Sequence, residues 1–167
     1  MTTILLTGAS RGIGAAAREA LEARGCRVIG QATRAETGII AADFADPQAP
    51  QALWESALEM AGGRIDVLVN NAGLFAANPL DSSDIAWLDG WEDTLRINLT
   101  SAAQLSRFAV RHWQADGREG RVVHVASRAG QGGRQTLKKK LRPTGGSTGH
   151  HLGDSHQNIR RCMIVRP

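Results

Sequence analysis

Ile4-Leu5-Leu6 is a short apolar run that passes straight into Thr7-Gly8-Ala9-Ser10-Arg11-Gly12-Ile13-Gly14. Residues 12–24 then read as a helix rich in Ala, Leu, Arg and Glu, stopped at Gly25. A strand, a glycine turn and a helix in this order constrain the fold tightly. Gly8 permits the tight turn, Gly12 leaves the backbone open to close approach, and Gly14 lets the helix pack against the strand. The helix N-terminus offers unpaired N–H groups and a partial positive charge, so the motif is a candidate diphosphate cradle. Three glycines alone are a weak signal; the strand before them and the helix after them strengthen it.

The rest of the chain repeats the alternation. Residues 26–30, 38–40, 65–69 and 121–127 read as further strands, mostly continuous apolar runs. Asp46 before Pro47 predicts a helix start that leads to about residue 62, with Leu53, Ala57 and Met60 on one face. A long helix is expected over 91–113, its inward stripe Trp91, Leu95, Asn98, Ala102, Leu105, Ala109 and His112. Buried strands alternating with helices imply an α/β, doubly wound parallel sheet, ordered 3-2-1-4-5 by right-handed crossovers.

Charge divides the chain near residue 130. Residues 1–130 carry twelve arginines against fifteen carboxylates; residues 131–167 carry eight basic residues against one aspartate. All four Trp and all three Phe lie in the first segment, and the second has no alanine. Two regions follow: an ordered domain over 1–130 and an irregular basic tail over 131–167, where only residues 162–165 (CMIV) read as a short strand. The basic run Lys138–Lys140 has no aromatic platform beside it, so a solvated run is expected and nucleic-acid binding is not. His150, His151 and His156 near Asp154 match no strong ligand spacing, so no metal is expected. No apolar run is long enough to span a membrane, and the N-terminus lacks the basic flank of a signal peptide. With two cysteines making no framework, a cytoplasmic setting is expected.

Four motifs in order carry a resemblance. TGASRGIG has the spacing G-x-x-x-G-x-G, Asn70-Asn71-Ala72-Gly73 follows the fourth strand, Asn98 sits in RINLTSA, and Ser127 sits in VHVAS. Together they resemble the short-chain dehydrogenase/reductase family over residues 1 to about 130. The resemblance implies a Rossmann-type NAD(P)-binding domain. It implies hydride transfer between a nicotinamide and a small-molecule carbonyl or alcohol. Cofactor contacts would fall on Gly8, Ser10, Arg11, Gly12, Ile13, Gly14, Asn71, Ala72 and Gly73, with Asp43 and Phe44 beside the adenine. Asp43 is equally readable as a turn residue before Asp46-Pro47. Asn98 would hold the water of a proton relay; from spacing alone it reads as a structural amide on a buried stripe. Ser127 would hydrogen-bond the substrate carbonyl, and nothing places a base beside it as a nucleophile needs. A homo-oligomer is expected for the family.

The end of the second strand carries no carboxylate to accept from a ribose 2′-OH. Arg11 and Arg34 are placed instead to meet a 2′-phosphate, which favours NADP(H) over NAD(H), with Glu36 close enough to keep NAD(H) open.

The family's proton donor, a tyrosine in Y-x-x-x-K a dozen or so residues after Ser127, has no counterpart: the chain contains no tyrosine. Motif, hydrophobic pattern and composition change together near Gly130, as an interrupted reading frame or a truncated gene would leave them. Two expectations follow, an oxidoreductase or an inactive nucleotide-binding module or fragment. A sheet ending at its fifth strand would also leave an open edge and an uncovered apolar helix face.

Overall fold

The computed structural model describes residues 1–126 and the strand Cys162–Val165. The elements are β1 (Thr3–Leu6), α1 (Gly12–Glu22), β2 (Arg27–Ala32), β3 (Ile39–Ala41), α2 (Ala49–Ala61) and β4 (Val67–Asn70). They continue as α3 (Asp84–Leu95), a π-helical turn (Arg96–Thr100), α4 (Ser101–Ala115), β5 (Gly120–His124) and β6 (Cys162–Val165). The sheet order is β3-β2-β1-β4-β5-β6. The first five strands pair in parallel in the expected order, and β6 adds antiparallel to β5, with Gly120 opposite Val165 and Val123 opposite Cys162. The edge expected to lie open at β5 is therefore hydrogen-bonded.

Successive residues of a strand face opposite sides of the sheet, and β1 shows the consequence. Leu5 joins Ile29, Leu68 and Val122 under α2 and α4, where Leu53, Trp54, Ala57, Leu105, Ala109 and Trp113 meet them. Leu6 faces the other way and packs with Ala9, Val28, Ala32 and Ile39 under α1. Fifteen buried residues make the first cluster and five the second, so among the described residues the α2–α4 side holds most of the apolar burial.

Three helical expectations are corrected. Asp46 does not cap α2. Its Oδ1 accepts from Gln48 N at 2.8 Å and its carbonyl accepts from Ala49 N, which closes a separate turn; the helix then starts at Ala49 with Pro50 in its first turn. Met60 is exposed, and the buried face of α2 is Leu53, Trp54, Ala57 and Ala61. The single helix over 91–113 is two helices joined by the π turn. The first starts earlier, at Asp84, where Ser83 Oγ accepts from Ala86 N. The wide turn rotates the helical face, so the buried stripe of α4 is Ser101, Leu105, Ala109 and Trp113, not Ala102 and His112. Trp91, Leu95 and Asn98 are exposed.

Trp113 Nε1 donates to Ile65 O at 2.7 Å, and Arg118 Nη1 donates to the same carbonyl at 3.3 Å. The neighbouring Asp66 carboxylate accepts from Thr3 N at 2.8 Å and from Arg64 Nε at 2.8 Å, with Arg118 Nη1 at 3.4 Å. Burial pushes this carboxyl up, but the Thr3 N–H and the two guanidinium groups more than offset it and hold it below the ordinary value. A depressed carboxyl stabilises the fold above its unfolded-state pKa of about 3.9 and loses that contribution as pH falls through the folded value. Asp66→Asn should therefore be less stable than the parent at neutral pH and show a shallower fall in stability below about pH 4. Urea midpoints measured across that range check both; parallel curves for the two proteins would remove the assignment.

Candidate functional site

The carboxyl ends of β1, β2, β3 and β4 open onto a cleft of about 540 Å³. The glycine turn contributes Gly8, Ser10, Arg11, Gly12, Ile13 and Gly14. The end of β2 contributes Gln31, Ala32 and Thr33, and the loop after β3 contributes Ala42, Asp43 and Phe44. Asn71, Ala72, Gly73 and Leu74 after β4, with Ile97 from the π turn, close the far side. A second cavity of about 410 Å³ shares Ile13 and residues 71–74 and adds Phe75, Asn98, Val125 and Ala126. The two lie side by side along one rim of the sheet, where open parallel sheets bind ligands.

Thr7 fixes the floor. Its buried Oγ1 accepts from Asn71 N at 3.0 Å and from Ala72 N at 2.9 Å, and donates to Val69 O at 3.4 Å. Asn71 Nδ2 returns the contact, donating to Thr7 O at 3.0 Å and Gly8 O at 3.1 Å. These bonds lock the glycine turn to the end of β4. Asn70 points to the other side of the sheet, where its Nδ2 donates to Ser106 Oγ at 3.1 Å.

The glycines divide the work. Gly8 has φ of +66° and Gly12 has φ of +55°, backbone conformations that cost other residues about 1–2 kcal/mol. A Cβ on Gly14 would stand 1.9 Å from Gly8 O, so the first turn of α1 lies directly on the glycine turn. A Cβ on Gly12 would meet nothing within 4 Å, so space lies open beside that backbone. Arg11 occupies the N-cap of α1 without a side-chain cap bond, and the first turn holds no carboxylate. The leading N–H groups of α1 therefore keep their capacity for an anion, and Arg11 adds a guanidinium at the same end.

Asp43 lines the cleft, and its Oδ1 accepts from Ala45 N at 3.0 Å, which is the bond of a turn residue. Phe44 is buried and lines the same wall. Arg34 is exposed and lies outside the cleft lining, one residue beyond Thr33, which is part of it. Asn98 is not on a buried stripe: it sits in the π turn, its Oδ1 accepting from Leu74 N at 2.7 Å and its Nδ2 donating to Leu74 O at 2.9 Å. The amide grips the loop after β4 like a strand partner, and among the described residues these two bonds use one N–H and one lone pair of the amide's two of each. Ser127, the lysine run and the histidines of the tail lie outside the described residues.

Sequence reading missed Gln31, Ala32, Thr33, Ala42, Leu74 and Ile97 as lining residues of the larger cleft. Only the position of Gln31 to Thr33 at a strand's carboxyl end signalled them. Among the described residues, no group of three or more His, Cys, Asp or Glu side chains is arranged to hold a metal ion, and no helix is long and apolar enough to cross a membrane.

A glycine turn between β1 and α1, on a sheet whose first five strands run parallel in the order 3-2-1-4-5, gives the chain a Rossmann-type fold. The short chain dehydrogenase family matches residues 2–138, and the chain belongs to it. The 3-oxoacyl-(acyl-carrier-protein) reductase FabG of Vibrio cholerae serotype O1 is 37% identical over 139 residues, 75% of this chain and 54% of that protein. The short chain dehydrogenase prhI of Penicillium brasilianum is 31% identical over 177 aligned residues, 98% of this chain and 67% of that protein. Among solved structures, a short-chain dehydrogenase/reductase from Serratia marcescens BCRC 10948 has a TM-score of 0.65 and 32% identity, covering 78% of this chain and 60% of that one. A 4-hydroxyisoleucine dehydrogenase complexed with NADH has a TM-score of 0.70 at 24% identity, a likeness of fold, covering 80% of this chain and 59% of that one. The chain spans about half the length of the FabG relative.

Proposed function

We propose that the chain binds a nicotinamide adenine dinucleotide along the two cavities, as the cofactor domain of an oxidoreductase acting on a small carbonyl or alcohol. The observation that carries this reading is the uncapped N-terminus of α1 facing the open side of Gly12. The adenine half fits the larger cavity, between Ala32, Thr33 and Phe44, and the diphosphate fits the glycine turn. The nicotinamide half falls in the second cavity, beside Asn98. When bound, the cofactor supplies or accepts the hydride. The chain's residues hold it in place, and Ser127 orients the substrate oxygen. NADP(H) is favoured because no carboxylate from β2 lines the cleft, while Arg11 does. Arg34 stands next in line to it. The free thiol of Cys26 accords with a cytoplasmic setting.

A specific observation supports a second reading, binding without turnover. The chain holds no tyrosine, so no phenol can pass a proton to a carbonyl oxygen. One experiment separates the two. Titration with NADPH and NADH, followed by nicotinamide fluorescence, should give saturable binding with NADPH the tighter, and Arg11→Ala should erase most of that preference. A ketone panel with saturating NADPH then reads turnover. Consumption of NADPH supports the oxidoreductase, saturable binding without consumption supports the inactive module, and binding of neither nucleotide defeats both.

We further propose that the exposed face of α3 and the π turn is a self-association surface. Ile85, Leu88, Trp91, Leu95 and Leu99 are all exposed, and their spacing puts them along one helical face, an apolar strip of the kind that marks an interaction surface. Light scattering should give at least a dimer mass, and Trp91→Glu should lower it. A monomer mass for the parent chain at micromolar concentration contradicts this.

A further inference from the structure

Gln31 is a polar residue on β2, yet its side chain is only 3% exposed. Its Oε1 accepts from Gly8 N at 2.9 Å, and its Nε2 donates to Ala42 O at 2.6 Å. Its own carbonyl accepts from Ala9 N at 2.8 Å. The glycine turn lies on one side of this residue and the loop after β3 on the other. Among the described residues no hydrogen bond joins those two segments directly. The amide of Gln31 is what ties them, and it needs both of its ends: an acceptor toward Gly8 and a donor toward Ala42.

We propose that Gln31 is a positioning residue that sets the spacing between the diphosphate cradle at Gly8–Gly14 and the adenine wall at Ala42–Phe44. It rests on the nucleotide-binding reading and adds the determinant of how the two halves of the ligand are read together. A ligand touching one segment alone does not depend on that spacing. A ligand that spans both gains from the segments being held at a fixed distance, because its second contact is made at high effective concentration.

Methionine has no amide and leaves both partners unpaired. Glutamate keeps the acceptor for Gly8 but, when ionised, sets an oxygen against Ala42 O. A protonated glutamic acid restores the pattern, carbonyl oxygen toward Gly8 and hydroxyl toward Ala42, and burial favours that neutral form. The full chain carrying Gln31→Met or Gln31→Glu is titrated with adenosine, inorganic pyrophosphate and ADP-ribose by ligand-observed NMR. ADP-ribose carries no terminal phosphate monoester to titrate. At about pH 8, ADP-ribose should weaken about tenfold or more in both variants, several times more than adenosine or pyrophosphate alone. In Gln31→Glu the ADP-ribose affinity should recover as the pH is lowered from about 8 to about 5, with the parent flat over that range. Equal losses for all three ligands would show that Gln31 only holds the fold, and unchanged ADP-ribose affinity would show that the spacing is fixed otherwise; either overturns the proposal. No recovery at low pH in a folded Gln31→Glu overturns it as well. A parent chain that binds neither NADPH nor ADP-ribose overturns the nucleotide reading itself, whereas failure of this inference alone leaves the parent's binding intact.

Discussion

Gly14→Ala is expected to lower the stability of the chain by about 3 kcal/mol and to abolish measurable dinucleotide binding. The added Cβ would stand 1.9 Å from Gly8 O, 2.8 Å from Gly8 C and 2.7 Å from Asn71 Nδ2. Two of those atoms are backbone, and the third is the amide that donates to Thr7 O and Gly8 O. No flexible side chain can swing away, so either α1 lifts off the turn or the turn leaves the end of β4. Both movements pull the cradle out of line with the Thr7 bonds to Asn71 and Ala72. Gly12→Ala is the informative control. Its Cβ would meet no protein atom within 4 Å, so the protein feels only the φ of +55°, on the order of 1 kcal/mol. It should stay folded, yet the methyl group would occupy the space proposed for the diphosphate. Thermal melts and NADPH titrations of the two variants should therefore diverge: Gly14→Ala falls by roughly 10 °C, while Gly12→Ala melts within a few degrees of the parent and binds nothing. Retained NADPH affinity in Gly12→Ala would place the phosphates elsewhere.

Much of this site was legible in the sequence because it depends on local constraints. A strand–glycine–helix turn needs particular backbone angles, and only a few spacings supply them. The parallel order of five strands followed from buried apolar runs alternating with helices, and CMIV at residues 162–165 was readable as a strand by its apolar run alone. What stayed hidden depends on contacts far apart in sequence. Gln31 reads as a polar residue leaving a strand, and β2 in fact continues through Ala32; burial of its amide follows from two loops that sequence spacing does not connect. Asp46-Pro47 carried a helix-start signal, but the carboxylate closed its own turn and left the start to Ala49-Pro50. The π turn misled the periodicity most. One wide turn at Arg96–Thr100 shifts every later position around the helix, moves the buried register from His112 to Trp113 and carries Asn98 out to the Leu74 backbone. Ser101 Oγ donates to Ile97 O at 2.7 Å just as the turn ends, a back-bond of the kind that bends helices.

Gly120→Ala should be the most damaging single methyl in the core, because it strikes the residue that the register shift brings inside. A Cβ there would lie 2.0 Å from Trp113 Cδ2, 2.1 Å from Cε2 and 2.4 Å from Cε3. These are ring atoms of a fully buried indole, and Nε1 donates to Ile65 O at 2.7 Å, so the ring cannot slide without giving up that bond. Gly120 cannot retreat either, since it opens β5 and lies opposite Val165 of β6. Overpacking a core costs typically 1–3 kcal/mol when side chains can adjust, and a contact this short against a pinned ring should reach or pass the upper end, about 3–4 kcal/mol. Trp113→Leu should cost a similar amount alone, by opening a cavity and leaving the Ile65 carbonyl to Arg118. Combined, the two should cost clearly less than their sum, because the leucine leaves room for the alanine methyl. Urea midpoints for the two single variants and the double variant give the coupling directly. Strict additivity would mean that the indole does not lie against Gly120 in solution, and that the docking of α4 onto β5 is set by some other contact.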